Sequence, residues 1–76
     1  MNAPNVTSES IAVNSSAIKS ANYFSEKKIL QLYFQNHSVY TYRGVPNHVF
    51  EGLRSSESKG KFINEYVTRV YSYKRS

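Results

Sequence analysis

The 76-residue chain contains no Cys, no Trp and no Asp, and its only acidic residues are five Glu. Without cysteine there is no thiolate nucleophile, no disulfide and no Cys-built zinc or iron–sulfur centre. Without aspartate, Asp-dependent triads, aspartyl dyads and EF-hand loops are excluded. Two His are present, His37 and His48, but a metal site needs three or four converging ligands, and two His among scattered Glu do not have that spacing. No Ser stands in a G-x-S-x-G elbow. No apolar run reaches the ~18 residues of a membrane span, and Met1-Asn2-Ala3-Pro4 lacks the basic and apolar regions of a signal peptide. These absences predict a soluble, cytoplasmic, non-enzymatic protein with no cofactor, no metal and no membrane partner.

What is there is basic and aromatic. Ten Lys/Arg against five Glu give a net charge of +5, and seven Tyr and four Phe make up most of the large side chains. A chain this short forms one small domain, and a domain near 60 residues buries only about 60% of its unfolded surface. Most aromatics are therefore needed inside. From Met1 to Ala12 the chain is polar and Asn/Ser-rich, too poor in apolar mass to offset its ordering entropy. The expected organisation is a flexible tail over 1–12 and one domain over 13–76.

Within that domain, Asn14 to Phe24 alternates weakly, as an edge strand does. Ser25-Glu26-Lys27-Lys28 supplies a turn, Ile29 to Phe34 is rich in β-formers, and Val39 to Tyr42 follows. The connection decides the register. A two-residue Asn36-His37 loop would put Tyr40 and Tyr42 on the face away from Leu30, Leu32 and Phe34. A three-residue Gln35-Asn36-His37 loop, with His37 in the left-handed region, pairs Leu32 with Tyr40 and Leu30 with Tyr42 and gathers all five on one face. The second is preferred. Val45-Pro46 then starts a short helix carrying Val49, Phe50 and Leu53 and ending at Ser55-Ser56. Ser58 caps a second helix, in which Phe62, Ile63, Tyr66, Val67, Val70 and Tyr71 recur at a helical period. The fold class is α+β: a three-stranded antiparallel meander followed by two helices packed on one face. Tyr40, Tyr42, Phe62, Tyr66 and Tyr71 are assigned to the core, and Tyr23, Tyr33 and Tyr73 to the surface.

Five short blocks, in this order and spacing, resemble the KTSC domain family: Asn14-Ser15-Ser16-Ala17-Ile18, the Leu-x-Leu-x-Phe of Leu30 to Phe34, Val39-Tyr40-Thr41-Tyr42, Val45-Pro46, and Ser58-Lys59-Gly60-Lys61-Phe62-Ile63-Asn64. The resemblance spans Val13 to Tyr73. It implies an α+β domain of a meander followed by helices, a type found as the C-terminal extension of some lysyl-tRNA synthetases and as small stand-alone proteins of bacteria and phages. The synthetase attachment implies RNA binding. Two departures stand out: the family's hairpin usually carries Gly where this chain has His37, and Ser55-Ser56-Glu57 is more polar than the family's small apolar residues there.

Read for chemistry, Ser58-Lys59-Gly60-Lys61 combines a helix start, a Gly and two lysines, which either hold a phosphate or form an ordinary cap with a solvated flank. Residues 59–75 hold Lys59, Lys61, Arg69, Lys74 and Arg75 against Glu65 alone, a net +4 that can track a phosphate backbone or simply be a solvated face. The functional expectation is a binding module for RNA or single-stranded nucleic acid, with Lys59, Gly60, Lys61, Arg69, Lys74 and Arg75 on phosphates and Tyr33 or Arg43 on a base. The alternative is a protein-interaction module, such as a phage or mobile-element inhibitor docking on a host protein. The protein is expected to be a monomer or a weak homodimer pairing through a free sheet edge.

Overall fold

Leu30 and Leu32 alternate with Gln31 and Tyr33, so one face of their strand is apolar and the other polar, and the rest of the sheet is built on that division. The computed structural model describes residues 8–75. It has strands β1 (Ser8–Ala12), β2 (Ile18–Phe24), β3 (Ile29–Phe34) and β4 (Val39–Arg43), helices α1 (Asn47–Ser55) and α2 (Lys59–Ile63), a π-helical turn (Asn64–Thr68) continuing α2, and β5 (Tyr73–Arg75). The strands form one antiparallel sheet in the order β1-β2-β3-β4-β5.

The β3–β4 hairpin has the expected register. Leu30 pairs with Tyr42 and Leu32 with Tyr40. His37 has φ 72°, its N–H donates to Phe34 O at 2.9 Å, and Phe34 N–H donates to Ser38 O at 2.9 Å. Leu30, Leu32 and Tyr42 are fully buried as a result. Pro46, extended at φ −73° and ψ 161°, precedes the first turn of α1, which delivers Phe50 and Leu53 to the core. Ile63 and Val67 complete it from the second helical segment.

The sheet has five strands where three were expected. Ser8–Ala12, assigned from its composition to a tail, is a full edge strand paired with β2 from Ser8↔Phe24 to Ala12↔Ser20. The rest of that expected tail lies outside the described residues. Arg54 secures this edge from α1: its guanidinium pairs with Glu9 at 2.8 Å and with Glu51. At the other edge, Tyr73–Arg75 pairs with β4.

The helical stripe is also modified. After Ile63 the backbone widens into the π-helical turn, which spans Val67 and Thr68, both poor helix formers. The Thr68 hydroxyl donates to Asn64 O at 2.9 Å, a back-bond that bends helices. Val67 stays buried, but the extra residue in the turn rotates its neighbours outward. Tyr66, expected in the core, is 54% exposed and Val70 is 61% exposed. Tyr66 packs on half-buried Phe62, ring centroids 4.7 Å apart. Tyr23, expected at the surface, is buried; its hydroxyl reaches Val45 O at 2.5 Å and Asn47 Oδ1 at 2.9 Å. Ser58 flanks α2 without capping it through its side chain.

Candidate nucleic-acid interface

The register sorts the strand residues onto two faces. Glu9, Tyr23, Leu30, Tyr42 and Tyr73 form one cross-strand row, and Ile11, Ala21, Leu32, Tyr40 and Arg75 form another. Both rows lie on the face that the helices cover. Between them, on the opposite face, runs a row of Ser10, Asn22, Gln31, Thr41 and Lys74. No described helix covers that second face. The polar row is flanked at one end by Phe24, Ile29 and Arg43 and at the other by Ser20, Tyr33 and Val39.

Side chains on this open face hold one another in place. Ser10 Oγ donates to Asn22 Oδ1 at 3.0 Å, Gln31 Nε2 donates to Thr41 Oγ1 at 3.4 Å, and the Tyr33 hydroxyl donates to Gln31 Oε1 at 3.1 Å. Two concavities border it, the second at the β4–β5 edge. One, of about 180 Å³, is lined by Phe24, Lys27, Ile29, Gln31 and Thr41. The other, of about 440 Å³, is lined by Thr41, Arg43, Val70, Tyr71, Ser72, Tyr73 and Lys74. They meet at Thr41, and neither is lined by a carboxylate. Lys27, Arg43 and Lys74 are all exposed, and Arg54 is the only cation in an ion pair among the described residues.

The expected phosphate residues are dispersed rather than gathered. Lys59 turns back to donate from Nζ to Ser56 O at 2.9 Å, satisfying a carbonyl at the end of α1. A Cβ on Gly60 would lie 2.8 Å from Ser15 Cβ, so this glycine lets α2 approach the β1–β2 turn and is closed off there. Lys61 stands exposed at the rim of a groove of about 400 Å³ beside Ser15, Phe34 and Thr68. Arg69 is exposed after the π-helical turn. Arg75 lies on the helix-bearing face, its Nη2 donating to Ser38 Oγ at 3.1 Å and its guanidinium 5.9 Å from the Tyr40 ring centroid. Lys74, the preceding residue, points to the opposite face.

Of the expected set, Gly60 and Lys61 line the groove of about 400 Å³, and Arg43 and Lys74 line one concavity together, because β5 brings Lys74 beside Thr41. Tyr33 shares their face but pairs with Val39, at the far end of β3 from Arg43. Sequence reasoning missed Phe24, Lys27 and Thr41. Phe24 and Thr41 carry a signal in the strand alternation, which places both opposite the core residues.

Other features offer less. A cavity of about 110 Å³ by Tyr23 is lined by Glu9 and Glu51, carboxylates that disfavour a phosphate. Among the described residues there is no group of three or more His, Cys, Asp or Glu able to hold a metal ion, and no helix is long and apolar enough to cross a membrane. Burial, with smaller contributions from Tyr73 and Tyr40, pushes the Tyr42 phenol up to about 12. That residue serves the core.

Comparison with known proteins agrees with this architecture. The crystal structure of a KTSC domain protein from Yersinia pestis superposes with a TM-score of 0.82 at 26% identity, covering 92% of this chain and 99% of that one. A protein of Tsukamurella paurometabola is 44% identical over 55 residues, 72% of this chain and 82% of its own length. A protein of Stutzerimonas stutzeri is 32% identical over 66 residues, 86% of this chain and 93% of its own. The KTSC domain family model matches residues 14–71, from the β1–β2 turn through both helices. With sheet, hairpin and helices all in place across that span, the chain belongs to the KTSC domain family.

Proposed function

We propose that this protein is a non-catalytic cytoplasmic module that binds single-stranded nucleic acid, RNA in particular, and that it does so on the open sheet face rather than along the helix. One observation carries the reading: a concavity on the uncovered face and another at its β4–β5 edge meet at Thr41, and Lys27, Arg43 and Lys74 line them alongside Phe24, with no carboxylate. Single strands are held by cations that track the backbone and by aromatic rings that stack bases, each stack contributing about 1–3 kcal/mol. Phe24 and Tyr33 offer rings on this face, and the three cations border the two adjoining concavities. A duplex hides its base faces and gains only the charge term. A second reading, a protein-interaction module, draws on exposed Tyr66, Val70 and Tyr73.

The test is fluorescence anisotropy with a short labelled oligouridine and duplex DNA at several salt concentrations. Arg43→Glu with Lys74→Glu is expected to weaken single-strand binding and to flatten the salt slope by about 1.4, at roughly 0.7 for each phosphate no longer neutralised. Lys59→Glu with Lys61→Glu leaves it nearly unchanged. The reverse ranking moves the site to the helix. Failure of the wild type to bind any nucleic acid sinks the reading in favour of a protein partner.

A further inference from the structure

The hydrogen-bond directions along the open face bear on which bases it accepts, given that the face binds single strands as proposed above. Asn22 sits second in the polar row, between Ser10 and Gln31, half-exposed, with Oδ1 occupied by the Ser10 hydroxyl at 3.0 Å. Its Nδ2 has no partner among the described residues, so Asn22 presents N–H donors outward. Gln31, directly opposite it on β3, is held at both ends. Its Oε1 accepts from Tyr33 and one Nε2 proton goes to Thr41 Oγ1, leaving its second Nε2 proton free. Thr41 Oγ1, already accepting, has its own proton to give. Lys74 ends the row with an ammonium that only donates.

The free protons on Asn22, Gln31, Thr41 and Lys74 thus point outward, while the oxygens of the first three already accept one hydrogen bond each. We infer that this row makes the site selective for bases that present a carbonyl oxygen where the competing base presents an amino group, uracil over cytosine being the cleanest pair. Uracil and cytosine stack alike and share O2. They differ at position 4, where uracil has an oxygen and cytosine an amino group, and at N3, where uracil carries a proton and cytosine a lone pair, so the discrimination needs the row to meet the position-4 edge. An amino group set against a donor row leaves both sides unpaired, and unpaired polar groups in a stacked complex are penalised. Phe24 and Tyr33 lie on the same face two residues along from Asn22 and Gln31, so a base stacked on either ring has its edge beside the row.

The experiment compares oligouridine with oligocytidine of equal length by competition anisotropy on the full chain. Uridine is expected to bind about tenfold more tightly, roughly the 1.4 kcal/mol of one discriminating contact. Asn22→Asp, which replaces the free Nδ2 donor by an acceptor, is expected to cut that ratio severalfold. Asn22→Ser, which keeps a small polar group at this half-exposed strand position, retains part of it. Circular dichroism confirms that each variant is folded. Equal affinity of the wild type for the two homopolymers, or a ratio unmoved by Asn22→Asp, overturns the inference and leaves the binding reading standing. Absence of binding to both removes the reading itself and the inference with it.

Discussion

Gly60→Ala separates the two roles a glycine can have at the start of α2. A Cβ there would meet Ser15 Cβ at 2.8 Å and Ser15 Oγ at 3.3 Å. Ser15 cannot readily give way. Its Oγ accepts from Ala17 N–H at 3.2 Å and from Ile18 N–H at 2.8 Å, and its own N–H donates to Ile18 O at 3.1 Å. Overpacking of this kind costs about 1–3 kcal/mol, and a contact between two backbone-proximal carbons belongs at the upper end. Alanine returns about 1 kcal/mol of helix propensity. The net is a destabilisation of about 2 kcal/mol, which at ~4–8 °C per kcal/mol lowers Tm by roughly 8–16 °C. The assay is thermal and urea unfolding followed by circular dichroism, with Ser15→Gly and the double variant closing the cycle. With the opposing side chain gone, the double variant should be destabilised by less than the sum of the singles. Where folded, Gly60→Ala should bind oligouridine as the wild type does. A variant as stable as the wild type, or an additive cycle, would refute the packing role, and a selective loss of binding would return Gly60 to a phosphate site.

Replacing His37, whose φ is 72°, by glycine relieves a left-handed cost of about 1–2 kcal/mol and forfeits about 0.4–1 kcal/mol of unfolded-state restriction. His37→Gly should therefore raise the urea midpoint by the equivalent of about 0.5–1 kcal/mol at unchanged m. A lowered midpoint would mean the imidazole makes a stabilising interaction of its own. At alkaline pH the domain should weaken, because burial raises the Tyr42 phenol from 10.0 to about 12 and raises Tyr23 as well. Below pH 10 folded and unfolded chains hold these protons equally. Above it the unfolded chain releases them first, so stability falls as pH rises from 10 towards 12. Urea midpoints across that window should decline less steeply for Tyr42→Phe, and an identical decline would assign the effect elsewhere.

The central hairpin was legible because burial leaves it little choice. Only one register gathers Leu30, Leu32, Tyr40 and Tyr42 on one face, and His37 can adopt the left-handed turn that sets it. The edge strands were not. Ser8–Ala12 and Tyr73–Arg75 are largely exposed and contribute little to the core. Their order comes from backbone ladders, from Arg54 bridging to Glu9 on β1 and from Tyr73 stacking on Tyr40 beside β5, and none of these leaves an alternating pattern to read. The stripe from Phe62 to Tyr71 follows an uninterrupted α-helical period, whereas the π-helical turn exposes Tyr66 and Val70. The candidate site depended on these same features. Arg43 and Lys74 stand far apart in the chain and line one concavity only because β5 exists, while the lysines that looked concerted in sequence, Lys59 and Lys61, are separated by what each touches.

Whether nucleic acid lies on the open sheet face is read by an NMR amide chemical-shift titration of the full chain with short oligouridine. Saturable shifts are expected at Asn22, Phe24, Lys27, Gln31, Thr41, Arg43 and Lys74, with the amides of Lys59 to Arg69 nearly still. Shifts concentrated on Lys59 to Arg69, or none anywhere at saturating oligonucleotide, would contradict binding on that face.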